Sequence, residues 1–81
     1  MQIDVLFFAS YRDLAGAERR SVTLPDGATA ADLVARVRSL DDDLARLPEA
    51  AAVVVNHHVV RSDHAIAPSD EVALLPPVAG G

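Results

Sequence analysis

The spacing of apolar and polar positions changes several times along the chain, and each change marks an element. Residues 2–9 alternate, with Ile3, Val5 and Phe7 on one side and Asp4, Leu6 and Phe8 on the other. Strand side chains point to opposite faces in turn. Both faces become apolar toward the end of this segment, as in a central strand of a mixed sheet. Ser10 is placed to cap a short helix through Ala15, and Gly16 suits the left-handed residue that follows it. Residues 18–24 alternate again, Arg20, Val22 and Leu24 against Arg19, Ser21 and Thr23. They read as an edge strand with one wet face, pairing with the first strand across the helical connection. Pro25-Asp26-Gly27 is a turn, because proline presets φ and glycine accepts a positive φ.

From Thr29 the repeat becomes helical. Ala30, Leu33, Val34, Val37 and Leu40 fall on one face. Thr29 is the expected N-cap, with Asp32 near the positive helix end. Asp32 and Arg36 are spaced for an ion pair on the solvent side. Of Asp41-Asp42-Asp43, one aspartate caps the short segment 44–47 and the others are solvated. A calcium loop would need alternating oxygen ligands, a glycine and a distal glutamate, which do not follow. Residues 51–56, with the β-branched run Val53-Val54-Val55, form the third strand. Asn56-His57-His58 is a tight turn into a short strand over Val59-Val60-Arg61, and residues 62–69 are a polar loop. Two adjacent histidines with His64 nearby invite a metal reading. Neighbours on a strand point to opposite faces and rarely share an ion, so these read as exposed turn histidines.

The last strand places Val72 and Leu74 on one face and Glu71, Ala73 and Leu75 on the other. Pro76 and Pro77 end it, having no N–H to donate. The order is β-β-α-β-β-β, an α+β chain in which a mixed sheet packs on one main helix. The first and last strands are the most apolar and should lie side by side at the sheet centre, and if they pair in parallel their faces combine. Ile3, Val5, Phe7, Val72 and Leu74 then meet the helix. Leu6, Phe8 and Leu75 project from the uncovered face beside the root of the tail, and an exposed apolar cluster of this kind marks a partner surface.

Composition narrows the function classes. Eighty-one residues, 51% of them hydrophobic, make one domain over residues 1–81, near the lower size limit for a self-sufficient core. The absence of cysteine excludes disulfides, thiolate metal sites, iron–sulfur ligation and a catalytic thiol. All seven cations are arginine and the net charge is −5, which disfavours nucleic acid. No apolar run approaches the roughly 20 residues of a membrane span. Met1-Gln2-Ile3-Asp4 lacks the cationic start of a signal peptide, so a cytoplasmic protein is the expectation. Ser10, Asp13 and the histidines form no nucleophile-elbow motif or ordered triad, which leaves an independent hydrolase unsupported.

Residues 75–81 read as a protruding tail that ends in a flexible Gly-Gly. Pro76-Pro77 favours a stiff, extended exit. A C-terminal carboxylate is inert until activated, for example as an acyl adenylate, and activation requires the last residue to enter another protein's active site. Gly80 and Gly81 carry no Cβ to crowd that path. The reacting group would be the main-chain carboxylate of Gly81.

The end Asp-Glu-Val-Ala-Leu-Leu-Pro-Pro-Val-Ala-Gly-Gly, together with the start Val5-Leu6-Phe7-Phe8-Ala9 followed by Arg12, Leu14 and Gly16, resembles the small subunits of molybdopterin synthase. These are ubiquitin-like sulfur carriers of molybdenum cofactor biosynthesis. The resemblance runs the length of the chain. Where that family often has two aromatics before Pro-Pro, this chain has Leu74 and Leu75, which keep the apolar character. The resemblance implies a ubiquitin-like β-grasp fold. It implies that Gly81 is adenylated, converted to a thiocarboxylate and donates sulfur to cyclic pyranopterin monophosphate, forming the molybdopterin dithiolene. It implies two partners, the large synthase subunit and a ubiquitin-activating-like adenylating enzyme that uses ATP, and a heterotetramer of two small and two large subunits. The chain itself would bind no cofactor or metal and supply no catalytic side chain. Pro77, Val78, Ala79 and Gly80 would guide the tail into the partner's active site. Leu6, Phe8 and Leu75 would dock the partner, with Arg12 and Arg61 as candidates for rim contacts. A thiamine-pathway sulfur carrier and a ubiquitin-like protein modifier share the fold and the ending. They are separated by which precursor takes the sulfur and by whether covalent conjugates form.

If the helix is the lid of the core, a charged residue at Leu33 or Val37 unfolds the domain. The cooperative urea transition of the wild-type chain should be lost in Leu33→Asp and Val37→Asp.

Overall fold

The computed structural model describes residues 1–76. Five strands and two helices follow in the order β1 (Gln2–Phe7), α1 (Ser10–Ala15), β2 (Arg19–Thr23), α2 (Ala30–Arg38), a single 3-10 turn (Leu44–Arg46), β3 (Ala52–Val55), β4 (His58–Val60) and β5 (Val72–Leu75). The sheet order is β2-β1-β5-β3-β4. β1 and β5 pair in parallel, with Phe7 opposite Leu74, and the other neighbours are antiparallel. The first and last strands therefore sit side by side inside the sheet, as expected, and their direction is parallel, with β2 and β4 at the edges.

Alternation decides the faces. Ile3, Val5, Phe7, Val22, Val53, Val55, Val72 and Leu74 are buried against α2, which contributes Ala30, Leu33, Val34 and Val37. Leu44, the first residue of the 3-10 turn, and Leu47, which follows it, close one end of this core. Among the described residues no polar or charged residue is buried. The Tyr11 hydroxyl nevertheless lies in the interior without a hydrogen-bond partner, and burial pushes its pKa up. It gives up its hydration in return for the packing of its ring.

The helix start forms as its residues require. Thr29 Oγ1 accepts the Asp32 N–H at 3.2 Å, and Asp32 Oδ2 accepts the Thr29 N–H at 2.9 Å. This reciprocal capping box satisfies two donors and contributes about 1 kcal/mol. It also uses the carboxylate that was expected to pair with Arg36, and no Asp32–Arg36 ion pair forms among the described residues.

Several other expectations are corrected. Ser10 is the first helical residue and Ala9 the cap, with φ 52° and no side-chain bond. The Tyr11 backbone N–H donates to the Phe8 carbonyl at 3.1 Å, so the chain has already begun to turn at Phe8 and β1 ends at Phe7. β4 begins at His58, not Val59, because Asn56 (φ 51°) and His57 (φ 71°) make a two-residue turn by themselves. Residues 62–69 are more than a polar loop. Ile66 is core, and this segment ties its backbone to the start of α2 through Ala30 N–H to the His64 carbonyl (2.9 Å) and Ile66 N–H to the Ala28 carbonyl (2.8 Å). Gly16 (φ 69°) and Gly27 (φ 83°) take the positive φ expected of them.

Asp41 is the aspartate that caps the 3-10 turn. Its Oδ1 accepts the Leu44 N–H at 2.8 Å, and Arg20 lies 3.3 Å from its other oxygen. The Leu44 N–H, helped by Arg20, holds this carboxyl below the ordinary aspartate value of 3.8. A depressed folded-state pKa gives stability that is present above the unfolded value and lost as pH falls through the folded one. Asp41→Asn should therefore lower stability most near neutral pH and converge with the wild-type chain as pH falls below about 4, which leaves a flatter acid limb. Urea titrations of both chains from pH 2 to 7 would show this, and parallel acid limbs would refute it.

Candidate functional site

Among the described residues, the face of the sheet turned away from α2 carries no covering element. The register brings one row of small and apolar side chains across it, because Leu6 pairs with Ala73, Ala73 with Val54 and Val54 with Val59. One row along, Leu75 pairs with Ala52, and Phe8, the residue after the last β1–β5 pair Phe7–Leu74, lines the same groove as Leu75. Leu6, Phe8, Val54, Ala73 and Leu75 line a groove of about 260 Å³. Phe8 is 47% exposed. The three apolar residues expected on this face are thus brought together.

Polar groups close the end of the groove remote from the tail. Glu71 and His57 line it there, with His57 Nε2 3.1 Å from a Glu71 carboxylate oxygen. The turn that carries His57 is held by Asn56. Its side chain donates to Asp70 at 3.0 Å and accepts the Glu71 N–H at 2.9 Å, and its own N–H reaches the Glu71 carbonyl at 2.8 Å. These bonds offset the unfavourable positive φ at both turn residues. Asp4, paired with Arg19 at 3.9 Å, and Asp70 extend this end with further carboxylates.

Arg12 and Arg61 lie on opposite sides of the face. Arg12 borders an adjoining hollow with Leu6 and Phe8, and its Nη1 is 3.6 Å from Glu18. Arg61 lies one residue past β4. Continuing the β3–β4 register sets it opposite Ala52, in the row of Leu75, with Nε 3.8 Å from Asp63. It does not line the groove. Pro77, Val78, Ala79, Gly80 and Gly81 lie outside the described residues. What is placed is their root: β5 runs parallel to β1 and ends at Leu75, beside Phe8.

Val54, His57 and Glu71 were not singled out by sequence reasoning as part of this surface. Val54 could have been found, since the middle residue of Val53-Val54-Val55 must face away from its neighbours. The His57–Glu71 contact depends on a turn joining two strands distant in sequence from Glu71, and no local pattern announces it. No helix among the described residues is long and apolar enough to cross a membrane.

A five-stranded mixed sheet of order 2-1-5-3-4, with one main helix across one face and the last strand central, is the ubiquitin-like β-grasp. SAMP1, the small archaeal modifier protein 1 of Haloferax volcanii, superposes with a TM-score of 0.84 at 26% identity, covering 100% of both chains. The chain belongs to the ThiS family, which it matches over residues 5–81. It is 36% identical to the molybdopterin synthase sulfur carrier subunit of Chlamydomonas reinhardtii over 100% of both chains. It is 37% identical to that of Escherichia coli K12 over 98% of this chain and 99% of the other.

The assignment of faces is testable by stability alone. Phe7→Ala should cost about 3–5 kcal/mol, as for a core phenylalanine. Phe8→Ala should cost about 1 kcal/mol or less, in keeping with half-burial. Equal losses in urea unfolding would mean that the open face is part of the core.

Proposed function

We propose that the chain is the sulfur carrier subunit of molybdopterin synthase and that its open face docks the large subunit. The observation that carries this reading is the full-length similarity to two curated carriers of that name, within a family match that runs through Gly81. The groove of Leu6, Phe8 and Leu75 supports it, as an apolar surface beside the point where the tail departs. Arg12 and Arg61 would make rim contacts on either side.

In this reading the Gly81 carboxylate attacks the α-phosphorus of ATP in an adenylating enzyme, forming an acyl adenylate and releasing pyrophosphate. A sulfide equivalent displaces AMP and leaves a thiocarboxylate. Pro77, Val78, Ala79 and Gly80 then thread it into the large subunit's active site, where the sulfur bonds to a carbon of cyclic pyranopterin monophosphate and water cleaves the acyl C–S bond, leaving sulfur on the pterin and a carboxylate on the terminus. The catalytic acids and bases belong to the large subunit, in an assembly of two small and two large subunits. This chain contributes position and a reactive end, and binds no cofactor itself.

A second reading, conjugation to lysines of other proteins, draws on the likeness to small archaeal modifier protein 1. Incubation with a matching adenylating enzyme, ATP and a sulfur donor separates the two. The carrier reading expects a mass gain equal to replacing one oxygen by sulfur, absent from the chain lacking Gly81, and dithiolene formation when the large subunit and the pterin precursor are added. An unchanged mass, with an enzyme competent on another carrier, would refute it. Ladders of covalent conjugates would favour the modifier.

A further inference from the structure

The two edges of the sheet are built differently. β2 is a defended edge, because Arg19 and Arg20 are ion-paired to Asp4 and Asp41 and flank it with charge. β4 is blunted only by its length of three residues, having no proline, no lysine, no bulge and no ion pair within His58–Val60. At its centre stands Val59, 72% exposed, the most exposed large apolar side chain among the described residues.

The hairpin sets which way Val59's backbone points. A two-residue turn closes on the hydrogen-bonded pair Val55–His58, and pairs alternate along an antiparallel ladder. Val59 opposite Val54 is therefore a non-hydrogen-bonded pair, whose N–H and C=O turn away from β3. No other hydrogen bond among the described residues uses them. The side chain is continuous with the groove, since Val54 lines it and Val59 is Val54's neighbour in the same row. The surroundings also differ from the rest of this acidic chain: all three histidines and Arg61 fall between residues 57 and 64, with Asp63 the one carboxylate among them.

We propose that the partner filling the groove also adds an extended strand along β4, exchanging main-chain hydrogen bonds with Val59 and laying an apolar side chain over it. This deepens the reading of the open face as the docking surface for the large subunit, and rests on it. The added strand is apolar at its centre and carries a carboxylate toward His58 and Arg61. Docking would thus combine packing on the face with strand addition at the edge, which fixes the angle at which the tail root is presented.

The test uses the whole chain and the cognate large subunit. In the free chain the Val59 amide, directed outward, exchanges rapidly with solvent. In the complex its exchange should slow by about tenfold or more, as for an amide entering a ladder. Val59→Pro removes the donor at a position where proline leaves the β3 ladder intact. It should raise Kd by about tenfold or more, with Val59→Ala, which keeps the N–H, losing less. A complex that forms while Val59 exchanges as before, or that binds Val59→Pro as tightly as wild type, overturns strand addition and leaves the functional reading standing. If Val59→Pro fails to fold, the wild-type exchange measurement decides alone. Failure of the wild-type chain to bind the large subunit counts against the functional reading, and the strand proposal falls with it. Slow Val59 exchange in a dimer of the chain by itself would assign the edge to a second copy and overturn the proposal.

Discussion

The parallel pairing of β1 and β5 is the constraint on which the other features depend. These strands lie at opposite ends of the sequence, and their contact closes almost the whole chain into one loop, at an entropic cost that grows slowly with length. What offsets that cost is burial of both partners' inner faces, Val5 and Phe7 on one strand and Val72 and Leu74 on the other, essentially out of solvent. Because the pair is parallel, both strands finish at the same end of the sheet. The root of the C-terminal tail is therefore set beside Phe8 and the start of α1. An antiparallel pair would have sent the tail out at the opposite end, away from Phe8.

The same pairing divides the apolar residues between two uses. The inner face and α2 make a core free of buried charge. The outer face keeps Leu6, Phe8, Val54, Ala73 and Leu75 along one groove that no element among the described residues covers. In an acidic protein of this size such a surface has a solubility cost, and it is confined here by polar borders: Glu71 with His57 at one end, Arg12 with Glu18 at one side. Backbone strain collects at the same margins. Ala9, Asn56 and His57 are the non-glycine residues with positive φ among those described, and they flank the groove at its two ends. Each costs on the order of 1 kcal/mol and persists because neighbouring hydrogen bonds over-determine it.

The legible parts of the fold were those governed by a local period or by one residue's chemistry. The strand alternations, the α2 stripe, the Thr29 cap and the Gly16 and Gly27 turns follow from side-chain geometry that needs no knowledge of the rest of the molecule. Misreadings arose where two local preferences competed. Asp32 could cap or pair with Arg36, and its distance to the Thr29 N–H settled the matter. Ser10 could cap α1, but the chain leaves β1 already turned at Phe8. Ile66 is a lone large apolar residue in a loop of small and polar ones, and its burial comes with bonds to the start of α2, far away in sequence.

The amino-acid order by itself determined which side chains share a face, where the helix begins, and that a bare Gly-Gly follows two prolines. Those are consequences of period two, period 3.6 and the missing Cβ or N–H of single residues. The tertiary structure alone decided that Val54 and Val59 join Leu6 in one row, that His57 meets Glu71, and that one sheet edge is guarded by arginine–carboxylate pairs while the other is bare. Register between distant strands is a property of the assembled sheet. It is chosen by the total burial of all five strands at once, and no segment read alone contains it.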